Sequence, residues 1–400
     1  MSQKKIIYLI EQPLSRWNYD RFGIQRWRER GWRVEVWDLT RLLNPSLVES
    51  DFNLDGPPPD FDGLYIVAKN NELTERFNSL FGGEYYMGLF GEDAAQVRIM
   101  ARFSRLGAKR IWSYLGCFPT VPLSSAELWR RRIKRWVDEG FYQFFLKISG
   151  VIYRKLYKSK IIPELVVVSG ERSVPFFASA NEIEIINAHN LDYDIYLELK
   201  DKVTLAENKY LVFIDQNLCF HTDFNSTGVN VGVSPKKYFP AICKIINEVS
   251  INLFTDPVVA AHPRFNPNQV CEYFSDIPVI YGDTAKLIRD SYVVIGHHSV
   301  AIQFAVLFSK PVIFLTSDEI NNTETAQSIE KLASELGKQP INIDRDLSDI
   351  DWEGELSVDQ ERYTSYIGNY IKMRGSDEKP AWDIVIDHLE KSLISQSKNE

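Results

Sequence analysis

Short apolar runs separated by amphipathic stretches set the rhythm of the chain. Lys5–Glu11 is one such run; Gln12, Pro13 and Ser15 break it, and Tyr19–Arg30 reads as a helix stopped at Gly31. Arg33–Asp38 alternates, Val34 and Val36 against Glu35 and Trp37, and Asp62–Val67 is a further run that stops at Lys69, Asn70 and Asn71. A helix over Ala94–Leu106, capped by Gly107, and a strand over Lys109–Leu115 repeat the unit, and Leu165–Ser169 and Ile183–Asn187 read as two more strands. Strands that alternate with helices predict parallel pairing.

Charged, turn-like Lys200–Lys209 precedes a fresh series that starts with the apolar run Tyr210–Ile214. It continues as a helix (Pro235–Val249), strands at Pro257–Ala261 and Val279–Tyr281, a short helix (Thr284–Asp290), a strand (Tyr292–Ile295), a helix (Ser299–Phe308) and a strand (Pro311–Leu315). Thr325–Leu336 reads as another helix, and Asp359–Arg374 with Ala381–Ser395 as a terminal helical pair. The expectation is an α/β chain of two Rossmann-like doubly wound domains facing a cleft. Residues 1–200 would form the first and 208–375 the second, with 376–400 returning to the first. Ligands of such sheets bind outside the carboxyl ends of the strands.

Composition narrows the class. At 400 residues, 44% hydrophobic and 25% charged, with 23 Phe, 19 Tyr and 9 Trp, the chain has apolar area for a core in each half. Its formal charge of −8 argues against a general nucleic-acid binder, whose affinity comes from neutralising phosphates. Cys117, Cys219, Cys243 and Cys271 form no CxxC pair and read as thiols of a reducing compartment, the cytoplasm. Met1–Ile10 is too short for a signal-peptide core, and the apolar stretches fall short of the roughly 20 residues of a membrane span.

Charge is uneven, however. Between Trp129 and Lys160 ten Lys and Arg face only Asp138 and Glu139, with aromatics interleaved. That pattern suits either an anionic membrane surface or a helical pair with solvated cations; RNA binding lacks any companion motif.

The strongest chemical signal is Pro257–Arg264, an apolar strand delivering His262, Pro263 and Arg264 to its carboxyl end. Imidazole and guanidinium can both serve a phosphate, and proline fixes the backbone between them. A second element follows: Tyr281 and Gly282 in a turn, then a strand ending at Gly296-His297-His298-Ser299 before an apolar helix. Free backbone N–H groups there, with His298 and Ser299, make an anion site; Ser299 as a plain N-cap is the compatible alternative.

Over Tyr210–Leu315 these motifs resemble the donor-nucleotide half of GT-B glycosyltransferases, most closely the bacterial surface-polysaccharide enzymes that use CMP-activated acidic sugars. The resemblance implies that His262 and Pro263 contact the nucleotide and its phosphate, and Ser299 the phosphate. A paired Ser-Ser or Ser-Thr of the family reads His298-Ser299 here. Glycerophosphate transferases of teichoic-acid synthesis share a similar strand, Ser-bearing helix start and Lys-Pro strand, here Lys310-Pro311. The implied activity is inverting, metal-independent transfer of a nonulosonate or Kdo from its CMP donor to a glycan or lipid-linked glycan, with no cofactor beyond the sugar nucleotide. A UDP- or CDP-linked donor, polyol-phosphate transfer and a catalytically silent membrane scaffold are the alternatives.

Transfer needs a base on the acceptor side. His189-Asn190-Leu191-Asp192-Tyr193-Asp194 follows a strand and offers Asp192 and Asp194, with His189 in support. Asp215-Gln216-Asn217, with His221 and Asp223 behind it, opens the second domain and makes Asp215 the rival, with Gln216 supporting. Asp215, His221 and Asp223 are a weak match to a metal site. Glu11 and Glu92-Asp93 are lesser candidates, since acids at a helix start need only the dipole.

Overall fold

The computed structural model describes residues 4–48, 56–121, 149–181, 183–202, 209–220, 233–262, 272–274 and 276–397. Among these, two all-parallel sheets carry the fold. The first holds β1 (Lys5–Ile10), β2 (Arg33–Asp38), β3 (Leu64–Ile66), β4 (Tyr85–Leu89), β5 (Lys109–Tyr114), β6 (Leu165–Val168) and β7 (Glu184–Asn187), in the order β3-β2-β1-β4-β5-β6-β7. The second holds β8 (Tyr210–Ile214), β9 (Asp256–Ala260), β10 (Val279–Ile280), β11 (Val293–Gly296), β12 (Val312–Thr316) and β13 (Ile341–Asn342), in the order β10-β9-β8-β11-β12-β13. Both are therefore doubly wound α/β sheets of Rossmann type. The direction of winding reverses between β1 and β4 and again between β8 and β11, where Leu9 pairs with Gly88 and Phe213 with Ile295. Crevices open at such switch points.

Burial on both faces explains why the central strands β1, β6, β8, β11 and β12 are nearly continuous apolar runs rather than alternating ones. Ile6, Tyr8 and Ile10 of β1 point to a core with Trp27 and Trp382, while Ile7 and Leu9 point to Trp37 and Phe103 on the opposite face. In the second sheet Leu211, Val212, Phe213 and Ile214 are all enclosed.

The expected helix Tyr19–Arg30 is two helices, Arg16–Arg21 and Ile24–Glu29. Gly23 breaks it with a left-handed φ of 63°, and a Cβ there would collide with the Trp382 indole. The last helix, Ala381–Ser397, lies on the first sheet's side of the molecule. Trp382 Nε1 donates to Arg21 O at 2.8 Å, Lys4 pairs with Glu390 at 2.9 Å, and Arg30 reaches Asp387 and Glu390, each at 2.6 Å.

Helix Leu191–Leu199 joins the two halves: Tyr193 packs into the second core, and the Tyr196 ring lies 5.1 Å from that of Phe308. Gln303, buried in helix Ile302–Leu307, closes the seam. Its Nε2 donates to Cys117 O at 3.1 Å, and its Oε1 accepts from Asn190 Nδ2.

Candidate functional site

At the carboxyl edge of the second sheet, three consecutive loops are tied side by side. β8 runs straight into Asp215, which is 2% exposed. Asn217 N–H donates to Asp215 Oδ1 at 3.0 Å and His262 N–H to Oδ2 at 3.5 Å, so one carboxylate joins the turns after β8 and β9. Gln216 makes the link on the other side: His298 N–H donates to its Oε1 at 2.7 Å, while its Nε2 donates to His298 O. The corners carrying His262 and Ser299 thus flank the end of β8 on one edge. Burial pushes the Asp215 carboxyl up to about 6, against the pull of the backbone N–H groups. With both oxygens turned to backbone donors, Asp215 organises the loops rather than facing an acceptor.

The histidines of this edge differ in role. His297 is fully buried, its Nδ1 2.7 Å from Leu315 O and its Nε2 2.9 Å from the Tyr238 hydroxyl. Burial drives it down to about 4, so it is a neutral bracing group. The His298 ring packs edge-on against Phe118 of the first sheet's side, centroids 4.8 Å apart, and burial lowers its pKa as well. Ser299 Oγ accepts from Ala301 N–H at 3.3 Å. The following helix starts at Ile302, three residues later than expected. The N–H groups of Ile302, Gln303 and Phe304 turn back to the carbonyls of Ser299, Val300 and Ala301, a tight 3₁₀-like turn. Gly296 ends β11, where a Cβ would meet nothing closer than 3.7 Å, and Tyr281 follows β10. Pro263, Arg264, His221 and Asp223 lie outside the described residues.

On the first sheet's side, β7 delivers His189 and Asn190. Asn190 caps helix Leu191–Leu199, its Oδ1 accepting from Tyr193 N–H at 2.9 Å. His189 is sealed, with Nδ1 3.0 Å from Asn190 O and Nε2 2.8 Å from Lys379 O. Asp194 Oδ1 accepts from Ala381 N–H at 2.9 Å and lies 3.4 Å from His189 Nδ1. Burial raises that carboxyl to about 6, with His189 and the N–H group opposing. Asp194 therefore caps the last helix.

Asp192 is placed differently. It lines a cavity of ≈ 520 Å³ between helix Leu191–Leu199 and the helix pair after β1, with Trp17, Arg21 and Trp382 around it. Burial raises its carboxyl and Arg21 pulls it back. Glu11, at the end of β1, accepts from Gly91 N–H at 3.4 Å and from Gln96 Nε2 at 3.1 Å.

Two residues that organise the site do not stand out in the sequence, Asn190 as a cap and Gln303 as a clasp. The signal for Asn190 is its place before an acidic helix start; for Gln303, a lone amide inside an apolar helix. Among the described residues no three His, Cys, Asp or Glu gather as a metal-holding group, and no helix is long and apolar enough to cross a membrane. Most of the basic segment, 129–148, lies outside the described residues. Within the rest, residues 149–156 are helical, and Val151, Ile152 and Leu156 are exposed.

No family model and no curated protein matches the chain. Solved structures do. The chain is similar to the spinosyn forosaminyltransferase SpnP (13% identity, 98% of this chain and 100% of that one, TM-score 0.45). It is similar to the calicheamicin glycosyltransferase CalG4 (12%, 92% and 96%, 0.48) and to the wall teichoic acid polymerase TagF (10%, 98% and 89%, 0.46).

Proposed function

We propose that the protein is an inverting, metal-independent glycosyltransferase of GT-B type that moves an acidic sugar, a nonulosonate or Kdo, from its CMP donor to a surface glycan. One observation carries the reading: at the switch point of the second sheet, Asp215 and Gln216 tie the His262 corner and the Ser299 corner into a single edge. That is where a doubly wound sheet holds a phosphate ester, and the motif resemblance over Tyr210–Leu315 falls on the same loops. His262 and Ser299 bear on the leaving phosphate, where charge develops as the bond breaks. Tyr281, after β10, belongs to the same donor site, to which the motif resemblance adds Pro263 and Arg264.

Of the three carboxylates proposed as base, Asp215 is turned to backbone donors and Asp194, although it borders the cavity, caps the last helix. Asp192, on the same cavity, is the one we assign as the base. The chemistry is a single displacement. The acceptor hydroxyl gives its proton to Asp192 as its oxygen bonds the anomeric carbon, and the sugar–phosphate bond breaks with its electron pair leaving on the CMP phosphate. A raised carboxyl pKa makes a better base for this step. The basic, apolar stretch at 149–160 would hold the enzyme at an anionic bilayer that carries its acceptor.

Calorimetric titration with CMP, CDP and UDP tests the donor assignment. CMP is expected to bind most tightly, and His262→Ala or Ser299→Ala to weaken it by about tenfold, the loss of one charge-assisted hydrogen bond. Asp192→Asn should leave CMP affinity intact and lower turnover by about 10²–10⁴. Preference for UDP or CDP would transfer the reading to those donors, and the absence of binding by all three nucleotides would defeat it.

A further inference from the structure

The cavity beside Asp192 has a chemistry of its own. At ≈ 520 Å³ it is the size of a small-ligand site, yet it is lined almost opposite to a phosphate site. Five carboxylates border it, those of Asp20, Glu29, Asp192, Asp194 and Glu198, against the guanidiniums of Arg21 and Arg26. The cations are already engaged. Arg26 pairs with Asp383 at 3.3 Å, and Arg21 lies over the Trp17 ring at 4.6 Å while offsetting the charge of Asp192. Burial further disfavours the charged form of Arg21.

Of the carboxylates, Asp20 pairs with Arg16 at 3.3 Å, Asp194 takes Ala381 N–H and Glu29 Oε1 accepts from Gln25 Nε2 at 3.0 Å. Asp192, Glu198 and the remaining lone pairs of Glu29 are then the acceptors that face a ligand, beside the Trp17 indole. Ionised carboxylates only accept, so a complementary molecule must offer hydroxyl or ammonium donors. Trp17 is 54% exposed and supplies flat apolar surface of the kind that stacks on a ring of C–H bonds, whereas Trp382, 4% exposed, is held in the core. An anion would meet more carboxylates than guanidiniums around Asp192, an unfavourable field that water screens only in part, since Asp192 itself is not exposed while Asp20, Glu29 and Glu198 are.

We infer that this cavity binds the accepting end of the glycan, and that this end is a neutral sugar or an amino sugar, not an acidic one. The inference rests on the transferase reading for the word acceptor, but the sugar site itself stands on the cavity. It places the attacking hydroxyl at Asp192. It also separates the two substrates by charge: the anionic donor belongs to the edge of the second sheet and the polyhydroxy acceptor to the acidic cavity. Asn190, two residues before Asp192, bonds through its amide to Gln303, one turn beyond Ser299, so the helix that carries Asp192 is tied to the helix that follows the Ser299 corner.

Saturation-transfer NMR and calorimetry on the full chain test this with methyl glycosides of galactose, N-acetylglucosamine and glucosamine, against N-acetylneuraminate and glucose 6-phosphate. The variants are Trp17→Ala and Glu198→Gln, both at the rim of the cavity, with thermal unfolding confirming that each is folded. Neutral and amino sugars are expected to bind, and the two anions to bind at least about tenfold more weakly. Trp17→Ala should weaken all the bound sugars by about tenfold, the worth of one stacking contact. Glu198→Gln should weaken glucosamine more than galactose. CMP titrated into the same samples should bind every variant as it binds wild type. Equal binding of the anionic sugars, indifference to both substitutions, or failure of all the sugars while CMP still binds would overturn the inference. Sugar binding without any nucleotide binding would instead overturn the transferase reading and leave the sugar site standing.

Discussion

Three aspartates lie past the carboxyl ends of strands, Asp215 directly after β8 and Asp192 and Asp194 in the first turn of helix Leu191–Leu199, and what separates them is which groups hold each carboxylate. Asp194 Oδ1 takes both Ala381 N–H and the His189 contact, Asp215 gives one oxygen to Asn217 N–H and the other to His262 N–H, and Asp192 borders the cavity with Arg21 as its charge partner. Asp215 is legible because an apolar run followed by Asp is visible in the letters, and Asp192 and Asp194 because they cluster with His189 and Asn190 after a strand. Which carboxylate is capped depends on Lys379–Ala381 and on the turn after β9, partners 187 and 47 residues distant in the chain, and no local pattern encodes those. Asp215 makes the consequence measurable. Its carboxyl titrates near 3.8 in an ordinary setting and near 6 in the fold, so between about pH 4 and pH 6 the folded protein holds the proton that the unfolded chain has released. Stability from this group is therefore greatest below pH 4 and falls as pH rises through 6. Asp215→Asn removes that dependence. In urea unfolding at pH 4.5 and pH 7, the variant should gain about 2 kcal/mol on wild type between the two values. A gain in the opposite direction would mean that the backbone N–H groups outweigh burial.

At the scale of elements, Gly23 shows how one residue shapes the entry to the first domain. Its left-handed backbone ends one helix and begins the next, and its missing Cβ lets the Trp382 indole lie against the chain. Gly23→Ala should cost about 3 kcal/mol, from left-handed strain and from displacing the indole. Gly31→Ala, with φ 74° and open space around the position, carries the strain alone and should cost about 1 kcal/mol. Thermal unfolding of the pair checks the ranking. The alternation of strand and helix is legible from β8 to β12, where Tyr210–Ile214 and Pro311–Leu315 are unbroken apolar runs, but the two-residue edge strand β13 and the short helices Asp318–Asn321 and Trp352–Glu355 leave no such run. It fails at β4, the strand that makes the first switch point: Tyr85–Leu89 is interrupted by Gly88 and follows Gly82 and Gly83, which read as a loop. Helix Asn70–Asn78 is hidden for a related reason. Its opening asparagines look like a turn, and it is Glu72, accepting from Ala68 N–H at 2.7 Å and Lys69 N–H at 3.1 Å, that starts it. Strand order is beyond the reach of sequence, since neighbours such as Ile10 and Leu89 are paired only by tertiary packing.

Across the whole molecule, charge is distributed against its own total. The chain is acidic overall, and carboxylates crowd the cavity at Asp192, yet one face of the first domain is basic. Helix Ala94–Arg105 lays Arg98, Arg102 and Arg105 over the rings of Tyr153, Phe77 and Tyr157, at 5.3, 4.2 and 5.4 Å. Beside it the stretch at 149–160 adds Arg154, Lys155, Lys158 and Lys160, and exposes Ile152 at 50% and Leu156 at 70%. Stacking accounts for the three helix arginines; it does not account for exposed aliphatic side chains among four further cations. An anionic bilayer matches both, with headgroups meeting the cations and Leu156 entering the interface. Each cation near such a surface contributes about 1 kcal/mol, screened over a Debye length of about 10 Å at 0.1 M salt. The protein should therefore float with phosphatidylglycerol-containing vesicles at about 0.1 M salt, much less at about 0.5 M, and little with phosphatidylcholine alone. Replacing Lys155 and Lys158 by Ala should cut the low-salt affinity by about 30-fold, and Leu156→Ser should weaken it without changing the salt dependence. Binding that ignores both salt and lipid charge would assign those cations to solvent and return Ile152 and Leu156 to the ordinary scatter of exposed apolar residues.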